Sequence, residues 1–228
     1  MVDAKPTLCY FNIKVKGEAI RMLLHHAGVE FNDVRVEFDQ WSALMPHTPA
    51  GALPVWIEPC DGAVGAIDSG EVQLPAGKHY NQANAILRRL AQKHGYYSDD
   101  IDQGFIIDWC MELYTDFYCS WTFPKIIQPT ATDEDLEHIA KHFGSFHAAV
   151  EKHLAEKGTT FLAGDKITVA DFLLFSVYNA VARPEGNVDN RHEKARSCMK
   201  ECTHTMPWLS RMNKELESWF PLSPNSPA

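Results

Sequence analysis

Patterns that would tie this chain to a metal or to an oxidising compartment are missing. The six cysteines, Cys9, Cys60, Cys110, Cys119, Cys198 and Cys202, form no CxxC pair and no dense cluster. Scattered cysteines of this kind argue for reduced thiols rather than a disulfide framework. Cys198 and Cys202 share a helix face but have no third cysteine or HxxxH nearby, and His138 and His142 lack the glutamate of an HExxH motif. Both pairs therefore read as ordinary helix surface, and no metal is expected. No apolar run reaches the roughly 18 residues of a membrane span. The opening MVDAKPTLCYF lacks the apolar stretch of a secretory signal, so a cytoplasmic location is expected. Basic residues are also scarce: 21 Lys and Arg face 30 Asp and Glu, a net charge of −9. Nucleic acids and anionic membranes need a concentrated basic surface, so neither is an expected partner.

What is present suits a folded globular protein. With 45% hydrophobic residues over 228 positions, the chain can build a core without staples. Thr7 to Asn12 is a short apolar and aromatic run. In the segment that follows, Ile20, Leu23, Leu24 and Ala27 fall at helical spacing before Gly28, and Phe31 to Phe38 alternates with period 2. This strand, helix, strand order predicts a parallel pair. A loop rich in Pro and Gly leads to a third strand, Val55 to Glu58. The glycine-rich stretch Pro59 to Asn81 reads as an elongated hairpin. An amphipathic helix then runs from Gln82 to a stop at Gly95. Beyond it the pattern changes. Ile101 to Ile127, Asp133 to Lys157, Val169 to Ala182 and Pro207 to Trp219 carry helical period with almost no strand signal. The terminal PLSPNSPA reads as a loose tail. Two domains follow, residues 1–95 (α/β) and residues 96–228 (all-helical).

The blocks YFN at Tyr10, GEAIR at Gly17, Trp41 to Pro54 and QANAILRRLA at Gln82 together resemble the first domain of soluble glutathione transferases, most of all the sigma class. In the second half, TTFLAGDKITVADF from Thr159 to Phe172 is similar to the family's FLVGDKLTLADF run, and Thr168 and Asp171 have the spacing of a capping box. The resemblance spans nearly the whole chain. It implies the glutathione transferase fold, a thioredoxin-like domain followed by a helical bundle. The implied activity is conjugation of the glutathione thiolate to electrophilic apolar compounds, a detoxification reaction carried out by a homodimer.

The resemblance also assigns roles. Tyr10 is the catalytic hydroxyl that holds the glutathione sulfur as thiolate, since a free thiol near pKa 8.5 is mostly protonated at neutral pH. The residues expected to bind glutathione are Tyr10, Lys16, Trp41, Ala52, Leu53, Pro54, Gln82, Ala83 and Glu112. Leu53-Pro54 matches a cis turn whose Leu backbone faces the peptide. Glu112, on an acidic stripe with Asp108 and Asp116, matches an acid that reaches across the dimer. Phe11, Ile13 and Tyr118 match the apolar second-substrate pocket. Three positions depart from the family pattern: Met45 where Lys is usual, Ala52 where Gln, Arg or Lys is usual, and Ala83 where Ser is usual. These departures motivate a rival reading, a scaffold or interaction subunit in a larger assembly. Isomerase or peroxidase chemistry with glutathione would use the same site.

Overall fold

The computed structural model describes residues 5–60, 65–119, 132–182, 193–199 and 202–223. Strand β1 (Thr7–Phe11) leads through helix α1 (Val15–His26) to β2 (Asn32–Val36), which pairs parallel with β1 as the period-2 pattern implied. Strand β3 (Val55–Glu58) runs antiparallel to β1, and β6 (Lys78–Asn81) runs antiparallel to β3. The result is a mixed four-stranded sheet in the order β2-β1-β3-β6. Helix α3 (Ala83–His94) follows and ends at Gly95, whose φ of 81° is the left-handed cap that glycine supplies.

Alternation divides the sheet residues between two cores. Leu8, Tyr10 and Trp56 face α1 and α3 and join the main apolar cluster. Cys9, Val55 and Ile57 point the other way. The segment expected to form one long hairpin is organised differently. Strands β4 (Ile67–Asp68) and β5 (Gln73–Leu74) make a separate small hairpin, and β6 alone returns to the sheet. The physical reason is coverage. Ile67, Val72 and Leu74 pack against Val55 and Ile57 and shield the second face, which a single extended hairpin would leave open. The stretch between β2 and β3 also contains a short helix, α2 (Trp41–Leu44), flanked by single helical turns. These four residues are too few to show a period.

The remaining helices form an all-helical layer on α1 and α3. Helix α4 (Ile101–Phe117) is capped by Asp100, whose carboxylate accepts from the N–H groups of Asp102 and Gln103. The expected continuation of this helix to Ile127 lies partly outside the described residues. Helix α5 (Asp133–Lys157) opens with a capping box between Thr132 and Asp135. Helix α6 (Val169–Val181) is buried along its entire length, and the expected box between Thr168 and Asp171 is present at its start. Asp171 also accepts from the Leu162 N–H and the Trp208 indole, so one buried carboxylate joins three segments. A short α7 (Glu193–Ser197) and then α8 (Thr205–Glu215) complete the layer. Part of the expected loose tail is docked. Phe220–Leu222 forms a helical turn, Arg35 donates to the Leu222 carbonyl, and the Ser223 hydroxyl donates to Glu18.

Candidate functional site

The end of β1 carries Tyr10, 2% exposed, whose oxygen accepts a hydrogen bond of 3.2 Å from the backbone N–H of Lys16. Three arrangements fix it. Gly17 lies against its ring so closely that a Cβ there would stand 2.7 Å from the ring's Cγ. Arg21, fully buried, donates to the carbonyls of Phe11 and Ile13 and so clamps the backbone on the C-terminal side of Tyr10. The Arg21 guanidinium is held in turn by both oxygens of Asp33, at 3.0 and 3.1 Å. Burial pushes the Tyr10 phenol well above its ordinary value, against the opposing influence of the Lys16 N–H and the Arg21 charge. The phenol therefore stays protonated. With its oxygen already accepting from Lys16, its remaining capacity is to donate.

A cavity of about 310 Å³ opens between the sheet end, the start of α3 and the face of α4. Its wall includes Lys16, Leu53, Gln82, Ala83, Glu112 and Tyr118, so six of the residues singled out from sequence meet there. The Leu53-Pro54 peptide bond is cis, as expected. Gln82 adopts φ 70°, ψ 112°, a backbone conformation rare for a residue with a side chain, at the point where the chain enters α3. Ala83 follows as the first residue of α3, where unpaired N–H groups and the helix dipole favour a carboxylate.

Other candidates stand elsewhere. Trp41 packs its ring edge on Phe11 at 5.4 Å, and Phe11 stacks on Phe38. Ile13 is buried in the main core. Tyr10, Trp41, Ala52, Pro54, Phe11 and Ile13 do not line the cavity; Tyr10 is joined to it through the Lys16 N–H. Of the acidic stripe, Asp108 is bound by Arg88 at 2.8 Å, whereas Glu112 is exposed at the cavity wall. Met45 is 42% exposed. Among the described residues no group of three or more His, Cys, Asp or Glu is arranged to hold a metal ion.

The sequence reading missed Asn84, Tyr114, Thr115 and Cys119, which also line the cavity. Glu112, Thr115 and Cys119 are spaced three and four residues apart, so one helical face marks them once Glu112 is chosen. Asn84 donates to the Thr115 hydroxyl at 3.0 Å and to the Met111 carbonyl, joining α3 to α4. Tyr114 is buried with a hydroxyl that makes no hydrogen bond among the described residues, and its ring meets that of Tyr118 at 4.6 Å. Burial raises the Tyr114 and Tyr118 phenols most; beyond it, Tyr118 and Tyr10 push Tyr114 up, and Tyr10 and Glu18 push Tyr118 up.

Comparison with known proteins gives a consistent picture. Residues 118–215 match the family model described as the glutathione S-transferase C-terminal domain. The chain is 32% identical over 175 residues to the glutathione S-transferase class-mu 28 kDa isozyme of Schistosoma japonicum, covering 74% of this chain and 77% of that one. It is 32% identical over 159 residues to glutathione S-transferase 2 of Manduca sexta, covering 69% and 70%. Among solved structures, the glutathione S-transferase from Ascaris lumbricoides superposes with a TM-score of 0.76 at 21% identity, over 98% of this chain and 100% of that one.

Proposed function

The chain belongs to the glutathione S-transferase family and is an enzyme of that kind, and from that premise we propose that it conjugates the glutathione thiolate to small electrophilic apolar compounds. The observation that carries this reading is the meeting of Lys16, Leu53, Gln82, Ala83, Glu112 and Tyr118 around one cavity whose wall residue Lys16 hydrogen-bonds Tyr10. In this mechanism glutathione enters as a substrate. The Tyr10 O–H donates to its sulfur and favours the thiolate, which is the nucleophile. The backbone at Leu53 faces the cysteinyl part. The N–H groups at Ala83 and the first turn of α3 receive the γ-glutamyl carboxylate, in place of the hydroxyl a serine would offer. Lys16 supplies positive charge at the wall and Tyr118 an apolar ring for the electrophile, whereas Trp41, Ala52, Pro54, Phe11 and Ile13 stand outside the cavity wall.

The same reading includes a homodimer in which Glu112 reaches the neighbouring site, a boundary between the two domains near residues 95 and 96, a detoxifying role and a cytoplasmic location. Among the described residues no helix is long and apolar enough to cross a membrane. The YFN and GEAIR blocks support a sigma-class reading, while the Schistosoma japonicum relative carries a mu-class name.

The test is steady-state conjugation of glutathione to an aryl halide. A hydrogen bond to a charged group contributes about 1.5–3 kcal/mol, so Tyr10→Phe should lower kcat/KM roughly tenfold to hundredfold. It should also raise the apparent pKa of the bound thiol. Turnover indifferent to Tyr10→Phe would reject the mechanism. Calorimetric titration of glutathione checks binding separately, and no heat of binding at millimolar peptide would reject the site itself.

A further inference from the structure

A second nucleophile and base meet outside the cavity described above. On α5, His147 is 3% exposed. Its Nδ1 lies 2.8 Å from the hydroxyl of Tyr178 on α6, and its Nε2 is in hydrogen-bonding contact with Sγ of Cys202. Cys202 itself is half-buried and in no disulfide. With the imidazole proton on Nδ1 donating to the Tyr178 oxygen, Nε2 is left as the acceptor for the thiol proton. Nucleophile, base and orienting group thus stand in a line of contacts, the arrangement by which a thiol is activated.

We propose that Cys202 is a reactive thiol, deprotonated by His147 and oriented through Tyr178, that forms mixed disulfides with small aryl disulfides. In the reaction the Cys202 proton passes to His147 Nε2 and the thiolate attacks one sulfur of the reagent. A bond forms between Cys202 Sγ and that sulfur while the reagent's own S–S bond breaks. The departing aryl thiolate carries away the electron pair and can take up the proton. Burial keeps the His147 imidazole below its ordinary value, partly offset by the charge of Glu151, so the ring is neutral at pH 7 and able to accept a proton. Next to this array a cleft of about 300 Å³ shares Tyr178 as a wall residue. Phe175, Met199, Met206 and Leu209 give it an apolar wall that suits an aromatic ring, and Asn179, Ser210 and Asn213 add polar groups at its edge. The inference is independent of glutathione binding at the cavity walled by Lys16, Gln82 and Glu112.

Exposure alone predicts the opposite order of reactivity, which makes the proposal easy to test. Cys60, Cys119 and Cys198 are exposed, so an unassisted reagent should find them before Cys202. The reduced protein would be treated with substoichiometric dipyridyl disulfide, the released pyridinethione followed by absorbance, and the modified cysteine located by peptide mass mapping. Cys202 is expected to label first, at least about tenfold faster than the exposed three, because its thiolate fraction is raised. His147→Asn should remove that advantage, and Tyr178→Phe, which keeps the ring and removes only the hydroxyl, should slow Cys202 by about threefold. Unchanged labelling of Cys60 and Cys119 in either variant reports an intact fold. If His147→Asn does not fold, Tyr178→Phe decides alone. Labelling that follows exposure, or a Cys202 rate unmoved by Tyr178→Phe, overturns the proposal.

Discussion

A methyl group on Gly17 would overlap the Tyr10 ring, since a Cβ placed there falls 2.7 Å from Cγ and 3.0 Å from Cβ of the tyrosine. The ring has nowhere to retreat because Arg21 pins the carbonyls of Phe11 and Ile13. Gly17→Ala should therefore displace the hydroxyl from the Lys16 N–H and lower turnover by at least about tenfold, at a stability cost of about 1–3 kcal/mol typical of overpacking. Steady-state kinetics with urea unfolding checks both, and an alanine variant as active as the parent would show that Tyr10 does not need its present position. At this scale the sequence was partly legible. Tyr10 was marked by its place at a strand end within a recognisable block. The roles of its supports were not readable, because Gly17 and Arg21 act through contacts whose geometry exists only after the helix packs on the strand. The contact between His147 and Cys202, 55 residues apart, was equally out of reach.

Elements with a long period were legible, and elements made by filling gaps were not. Helix α5 shows its apolar face over several turns, α6 is apolar nearly all round, and their capping boxes are local in sequence. The short α2 and the hairpin β4 and β5 are shaped by the sheet face they cover, which no local pattern encodes. The cap of α8 belongs to the same class. Its own N-cap residue, His204, makes no side-chain capping bond. Glu151, on α5, instead accepts from the backbone N–H groups of Thr203, His204 and Thr205 and from the Thr205 hydroxyl at 2.6 Å. Burial alone would raise this carboxyl, but the bonds from Thr205 and His204 prevail and bring it down to about 2. A carboxylate depressed in the folded state stabilises fully above its unfolded value. That stabilisation is lost as pH falls from near 4.5 toward 2. Glu151→Ala should cost about 2–3 kcal/mol at pH 7. The gap between wild type and variant, measured by urea unfolding, should close as the pH is taken from 5 to about 2. A gap independent of pH would mean that Glu151 contributes packing rather than charge.

At the scale of the whole molecule, the sheet-bearing half, the helical layer and the chain end meet on one fully buried carboxyl, Glu18 of α1. One of its oxygens accepts from the Trp219 indole at 3.0 Å, from the Ser223 hydroxyl at 2.6 Å and from Asn179 of α6 at 3.5 Å. The other oxygen makes no hydrogen bond among the described residues and faces Arg21 at 3.9 Å. Arg21 does not depend on this contact for a counter-charge, because Asp33 already binds it at 3.0 Å. Burial raises the Glu18 carboxyl above its usual range, more than Arg21, Ser223 and Trp219 lower it. The balance therefore marks a polar hub rather than an ion pair, and the two readings diverge under substitution. Glu18→Gln keeps an oxygen for Trp219 and Ser223 and avoids burying a charge, so its stability should stay within about 1 kcal/mol of the parent. Glu18→Ala strands the indole N–H, the hydroxyl and part of the Arg21 charge, and should cost about 3–5 kcal/mol. Because Trp219 and Ser223 lose their anchor, the alanine variant should also expose residues 219–223 to rapid amide exchange, while Glu18→Gln keeps them protected. Equal destabilisation by both substitutions would instead assign the stabilisation to the charge, and the join between α1, α6 and the chain end would then rest on Arg21.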